Sequence, residues 1–196
     1  MNLLTLAIVL SILLAFVFTF LNGMNDAANS ISTIIATKVM TPIQAIVWAS
    51  FWEFTAFIFI RMILSQQFAV GNTMANFAEQ SVITPYLVLS ALVGAAIWVA
   101  VCTKMGMPIS TSHALIGGII GAAWFVNGGS VLHLKPILIT LSFIIFSPLI
   151  GLFLGFFLEC IFLKIFKNKP RKKVEKLFKR LQHFSTAAFC IGHGSN

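Results

Sequence analysis

The sequence predicts an all-α fold, a polytopic bundle of transmembrane helices, and three observations carry that prediction. Hydrophobic residues fill 59% of the 196 positions and charged residues only 9%, with a mean hydropathy of +0.98, more apolar surface than a water-soluble core can hide. Crossing the hydrocarbon layer takes about 20 apolar residues of helix, and five runs approach or exceed that length: 3–21, 43–64, 82–103, 109–127 and 136–163. The net charge, finally, is gathered in one short segment, 164–180.

The first run lacks the basic start and small-residue cleavage site of a signal peptide, and polar sequence follows it directly, so it is read as a spanning helix. That polar sequence starts at Asn22 and continues through Asn25, Asp26, Asn29, Ser30, Thr33 and Thr37 to Lys38. In a helix, steps of three and four would line up carboxylate, amide and hydroxyl groups on one face. An Asp near the hydrocarbon costs a few kcal/mol and would then face a cavity, a cation or a proton path. A cytoplasmic loop with Asp26 as a helix cap is the other reading, and spacing leaves both open. Glu53, near the middle of the second run, is a second costly charge, serving an ion path or pairing with a polar neighbour.

Between the third and fourth runs stands Lys104-Met-Gly-Met-Pro-Ile-Ser-Thr-Ser-His113. Pro108 suits the first helical position, which would leave the N–H groups near Ser110 and Thr111 without intrahelical partners. Those donors, the positive end of the helix dipole and three hydroxyls make an anion site without any Arg or Lys, and phosphate would fit it. Simple capping by Ser and Thr is the plainer use of the same residues. His113 is expected to be a packed, hydrogen-bonded histidine ahead of a substrate contact. Ala114, Gly118 and Ala122, with Gly117 and Gly121, and again Gly151 and Gly155, stand four apart as in close-packed membrane helices. Pro148 should kink the last run.

Nine Lys or Arg and one acid, Glu175, occupy 164–180, so this segment holds the whole net charge of +8. Basic loops stay on the cytoplasmic side. Five crossings then put the amino terminus outside, Lys38 and Lys104 inside, and Arg61 and Lys135 at outer ends, provided that 109–127 crosses rather than re-enters. Val174, Leu177, Phe178, Leu181 and Phe184 recur at helical steps among the bases, the pattern of an amphipathic helix along the inner membrane surface. The adjoining spans favour that reading over nucleic-acid binding. Cys102, Cys160 and Cys190 have neither disulfide nor metal-ligand spacing.

Gly23-Met-Asn-Asp-Ala-Ala-Asn29 and Pro108-Ile-Ser-Thr-Ser-His113 together resemble the two signature strings of the PiT family of inorganic phosphate transporters. The end, Phe189-Cys-Ile-Gly-His-Gly-Ser-Asn196, is similar to the start of that family's second signature, in which an Asp would follow. The resemblance implies one repeat of an inverted-repeat transporter: 1–163 as the first transmembrane repeat, 164–183 as a basic cytoplasmic linker and 184–196 as the start of the second repeat. It implies phosphate uptake across the cell membrane by symport with sodium or protons, with no other cofactor or metal. Asp26, Asn29, Ser110, Thr111 and Ser112 would bind phosphate and Asn25 with Asp26 the coupling cation, with Glu53 and His113 as secondary candidates. A carboxylate beside an anion needs a cation between them, which gives symport a physical reason. The implied partners are inorganic phosphate, membrane lipid, and a second repeat or complementary chain, with room for a homodimer and no nucleic acid. A truncated or split-gene fragment inactive alone is the alternative. An intramembrane hydrolase using Ser110 or Ser112, His113 and Asp26 is a remote one.

Overall fold

A computed structural model describes residues 2–59, 62 and 76–194; Arg61, the end of the second apolar run, Ser195 and Asn196 lie outside the described residues. Among the described residues six α-helices follow in order: α1 Leu3–Ala36, α2 Pro42–Phe59, α3 Pro85–Met105, α4 Thr111–Asn127, α5 Leu134–Phe166 and α6 Arg171–Gly194. Four of them, α1, α2, α3 and α5, are long and apolar enough to cross a membrane. The expected fourth span forms as α4, but its 17 residues reach only about 26 Å at 1.5 Å per residue, short of the ~30 Å hydrocarbon layer. Most large apolar side chains on these helices are exposed, Phe153 at 71% and Leu152 at 66% among them, as suits helices whose solvent is lipid.

The chain forms two compact units, one of residues 1–29 with 68–136 and the other of 30–67 with 137–196. In the first, α3 and α4 make a tight hairpin. Thr84 caps α3, its hydroxyl accepting from the Leu87 N–H at 3.3 Å, with Pro85 in the first turn. Gly106 closes the helix at φ 67°, its N–H bonding to Thr103 O while Met107 N–H reaches Cys102 O at 2.9 Å, the paired bonds of a left-handed helix terminus. At Gly118 the helices touch backbone to side: a Cβ there would lie 2.4 Å from Ala91 O. Phe18, Leu92, Ala95, Ala96 and Val99 form the core beside this contact. Among the small-residue positions Gly118 is the one seen at a helix contact; a Cβ at Gly117, Gly121, Gly151 or Gly155 meets nothing within 4 Å among the described residues.

In the second unit α2 and α6 lie side by side and run in the same direction. Ile31, Ile34, Ala45, Ala49 and Cys190 share one buried cluster, Trp48 meets His183 edge-on at 6.1 Å, and a Cβ at Gly194 would stand 2.5 Å from Glu53 O. The buried residues Ala45, Ala49 and Ala56 of α2 and Thr186, Ala187 and Cys190 of α6 are small enough to let the backbones approach. The amphipathic stretch is therefore the first half of a single 24-residue helix that passes residue 184 without a break, its second half seated on α2. Phe178 packs against Phe162 and Phe166 of α5. Otherwise α5 buries none of its residues, and Pro148 sits inside it without ending it.

Candidate functional site

The polar stretch after the first apolar run is helical throughout, since α1 continues to Ala36; the loop reading, with Asp26 as a cap, is corrected. At 100° per residue, Asn22, Asn25, Asp26 and Asn29 fall within about 100° of arc on α1. Two of the amides face partners across the first unit. Asn22 Oδ1 accepts from Thr111 Oγ1 at the start of α4. Asn25 Nδ2 donates to Leu21 O at 2.9 Å and to Thr103 Oγ1 at 3.2 Å, and the same hydroxyl lies 3.2 Å from Asn25 Oδ1. One turn of α1 is thereby tied to the end of α3 and the beginning of α4. Asp26 is half-buried beside these amides and Asn29 is exposed one turn on.

The start of α4 differs from the expectation by three residues. Ser110, not Pro108, borders the helix: its hydroxyl accepts from the His113 N–H at 3.3 Å and its carbonyl from the Ala114 N–H at 3.0 Å. Pro108 lies ahead in the extended connection, because Ser is the better cap and the residue before proline resists helical geometry. The N–H groups of Thr111 and Ser112 then occupy the first two helical positions, which have no intrahelical acceptor. Thr111 is buried at 5% exposure while Ser110, Ser112 and His113 are exposed.

His113 is thus not a packed histidine. It lines an open cavity of about 630 Å3 with Trp98, Cys102, Ser110 and Gly118. Ser110 Oγ meets His113 through the backbone N–H at 3.3 Å rather than through the imidazole. Glu53 belongs to the second unit, where its Oε1 lies 3.3 Å from His193 Nδ1. Among the described residues no group of three or more His, Cys, Asp or Glu is placed to hold a metal ion.

The structure brings Thr111 to α1 and holds Asn25 beside Asp26, but points the Ser110 hydroxyl back along its own helix. Thr103 is the partner that sequence reading passed over, whereas Asn22 is expected on the polar face but not among the site residues. Nothing local marks Thr103, which lies 78 positions from its partner.

A set of long apolar helices with amides and hydroxyls joined across three of them, and the Asp26 carboxylate on the same turn of α1, defines a multi-pass membrane protein. Residues 22–172 match the profile of the Phosphate transporter family, and the chain belongs to that family. It is 37% identical over 151 residues to the Probable low-affinity inorganic phosphate transporter of Rhizobium meliloti (strain 1021), covering 77% of this chain and 44% of that protein. The Bacillus subtilis (strain 168) protein of the same designation is 34% identical over 130 residues, covering 63% and 39%. The chain spans about half the length of the relatives it matches. A solved structure described as the sodium-dependent phosphate transporter shares the fold, with a TM-score of 0.73 at 22% identity over 96% of this chain and 55% of that one.

Proposed function

We propose that this chain forms one wall of a phosphate-binding site in a cation-coupled phosphate transporter of the cell membrane. The observation that carries the reading is the joining of the α1 polar face to the start of α4 through Asn22, Thr111, Asn25 and Thr103. In this reading Asn29, Ser112 and the N–H groups at the start of α4 bind phosphate with Asp26, and Ser110 and Thr111 help shape that helix end. Asn25 and Asp26 take the coupling cation, sodium or a proton. Two like charges 4 Å apart repel by about 4 kcal/mol at an effective dielectric of 20, so Asp26 admits phosphate only when a cation arrives with it. Glu53 and His113 act at one remove, Glu53 through its contact with His193.

The same proposal places the amino terminus outside and 164–180 in the cytoplasm. It treats 1–163 as one repeat, 164–183 as linker and 184–196 as the beginning of a second. The opposing wall comes from a second, inverted copy of the motifs, in the same or another polypeptide. Phosphate uptake into vesicles or cells, with sodium present or replaced by choline, tests it. Asp26→Asn is expected to abolish cation-dependent uptake while the protein still reaches the membrane; undiminished uptake would remove Asp26 from the site.

A further inference from the structure

Two cavities in the second unit, one charged and one apolar, share a wall. The charged cavity, about 470 Å3, is lined by Lys38 after the end of α1 and by Lys172, Lys176, Lys179, Arg180 and His183 of α6. Helical spacing puts the α6 residues on one face. Glu175 is the one carboxylate on that lining, and Lys179 takes it at 2.8 Å, holding its carboxyl below the ordinary carboxylate range through the hydrogen bond and the charge. The other four cations share the lining with no second carboxylate among the described residues. Lys38 stands there in a left-handed backbone conformation, φ 55°, which glycine adopts freely and lysine only at a cost.

The apolar cavity, about 630 Å3, is lined by Ile43, Val47, Trp48 and Phe51 of α2, and it shares Val39 and His183 with the charged one. Ile43, Val47 and Phe51 stand four apart and are exposed at 76%, 64% and 57%, a groove along the outside of a candidate span. His183 is fixed as the partition, its Nδ1 2.9 Å from Lys179 O and its ring edge-on to Trp48.

A ligand filling both spaces has an anionic head and an apolar tail side by side. We propose that this is a site for one anionic phospholipid, its phosphate among Lys38, Lys172, Lys176 and Arg180 and an acyl chain along Ile43, Val47 and Phe51. Clustered Lys and Arg at the end of a spanning helix attract anionic lipid. A free phosphate ion matches the charge but leaves the groove empty, and a zwitterionic lipid brings its own cation into a cavity already rich in them. The inference rests on α2 spanning the membrane and is independent of the transport reading.

Native mass spectrometry of the delipidated chain, with phosphatidylglycerol or phosphatidylcholine of matched acyl chains added, tests it. Phosphatidylglycerol should be retained and phosphatidylcholine held at least roughly tenfold more weakly. Lys38→Gln with Lys176→Gln and Arg180→Gln should lower phosphatidylglycerol binding roughly 100-fold. Lys169→Gln with Arg171→Gln and Lys173→Gln removes the same charge from outside the cavity and should leave binding nearly unchanged. Equal retention of the two lipids, or equal loss in the two triple variants, overturns the proposal. So does complete displacement of lipid by millimolar inorganic phosphate, which would make the cage a free-anion site. The tail is located by quenching of indole fluorescence with bromine-labelled phosphatidylglycerol chains: most of the quenching should vanish in Trp48→Phe, and its persistence there refutes the groove.

Discussion

Replacing Gly118 by Ala sets one methyl against the α3–α4 contact. The new Cβ would stand 2.4 Å from Ala91 O, 3.1 Å from its carbonyl carbon and 3.3 Å from its Cα. Ordinary van der Waals contact begins at 3.4 Å, so the helices must part locally by about 1 Å in an interior that is close-packed. A backbone carbonyl inside a helix cannot turn aside as a side chain would. Overpacking of this kind costs about 1–3 kcal/mol, from which better helix propensity of Ala over Gly returns up to about 1 kcal/mol. Gly117→Ala and Gly121→Ala meet nothing within 4 Å and should show only the propensity gain. The variants should therefore separate by about 1–3 kcal/mol, which for a chain of this size is roughly 2–12 °C in midpoint temperature. Thermal unfolding in a mild detergent, followed by far-ultraviolet circular dichroism, reads the difference. A Gly118→Ala midpoint at or above that of Gly117→Ala would refute the contact. Rescue by Ala91→Gly would refute it as well, because the obstructing atom is the carbonyl oxygen and not the Ala91 methyl.

Asn25→Ala and Thr103→Val should each destabilise by about 1 kcal/mol, and the double variant should lose little more than either, since both break the same 3.2 Å contacts; strictly additive losses would show that the pair is not formed. Lys38→Gly should raise stability by about 1 kcal/mol by relieving the left-handed backbone at φ 55°, while binding of anionic lipid falls, two effects of opposite sign read by unfolding and by mass spectrometry. Gly194→Ala, aimed at Glu53 O at 2.5 Å, should loosen α6 from α2, whereas Gly192→Ala, with nothing within 4 Å, should not; equal midpoints for the two would contradict the parallel packing.

Helix content and the apolar spans were legible because lipid as solvent leaves a coarse signature: long runs, few charges, bases gathered at one end. The finer features depended on neighbours distant in sequence. Whether Asn22 to Ala36 is helix or loop turns on Asn22 and Asn25 finding Thr111 and Thr103, and no local pattern announces such partners. Ser110 displaced Pro108 at the head of α4 because two capping signals competed within three residues, and the hydroxyl that reached the His113 N–H prevailed. The glycine spacings were visible, but only Gly118 among those of α4 stands against a backbone carbonyl, since only one face of a helix can meet a given neighbour. The continuity of α6 was hidden by its change of solvent, charged along its first half and small and buried along its second.

The notch at Gly118 also limits how this protein can move. Ala114 and Ala122 stand four residues to either side of it, so sliding α4 by one turn along α3, about 6 Å at 1.5 Å per residue, would drive a methyl into the Ala91 carbonyl. The notch therefore fixes the register of the hairpin. The start of α4, with the Ser110 cap and the free N–H groups of its first turn, is thereby held as a fixed attachment of α3.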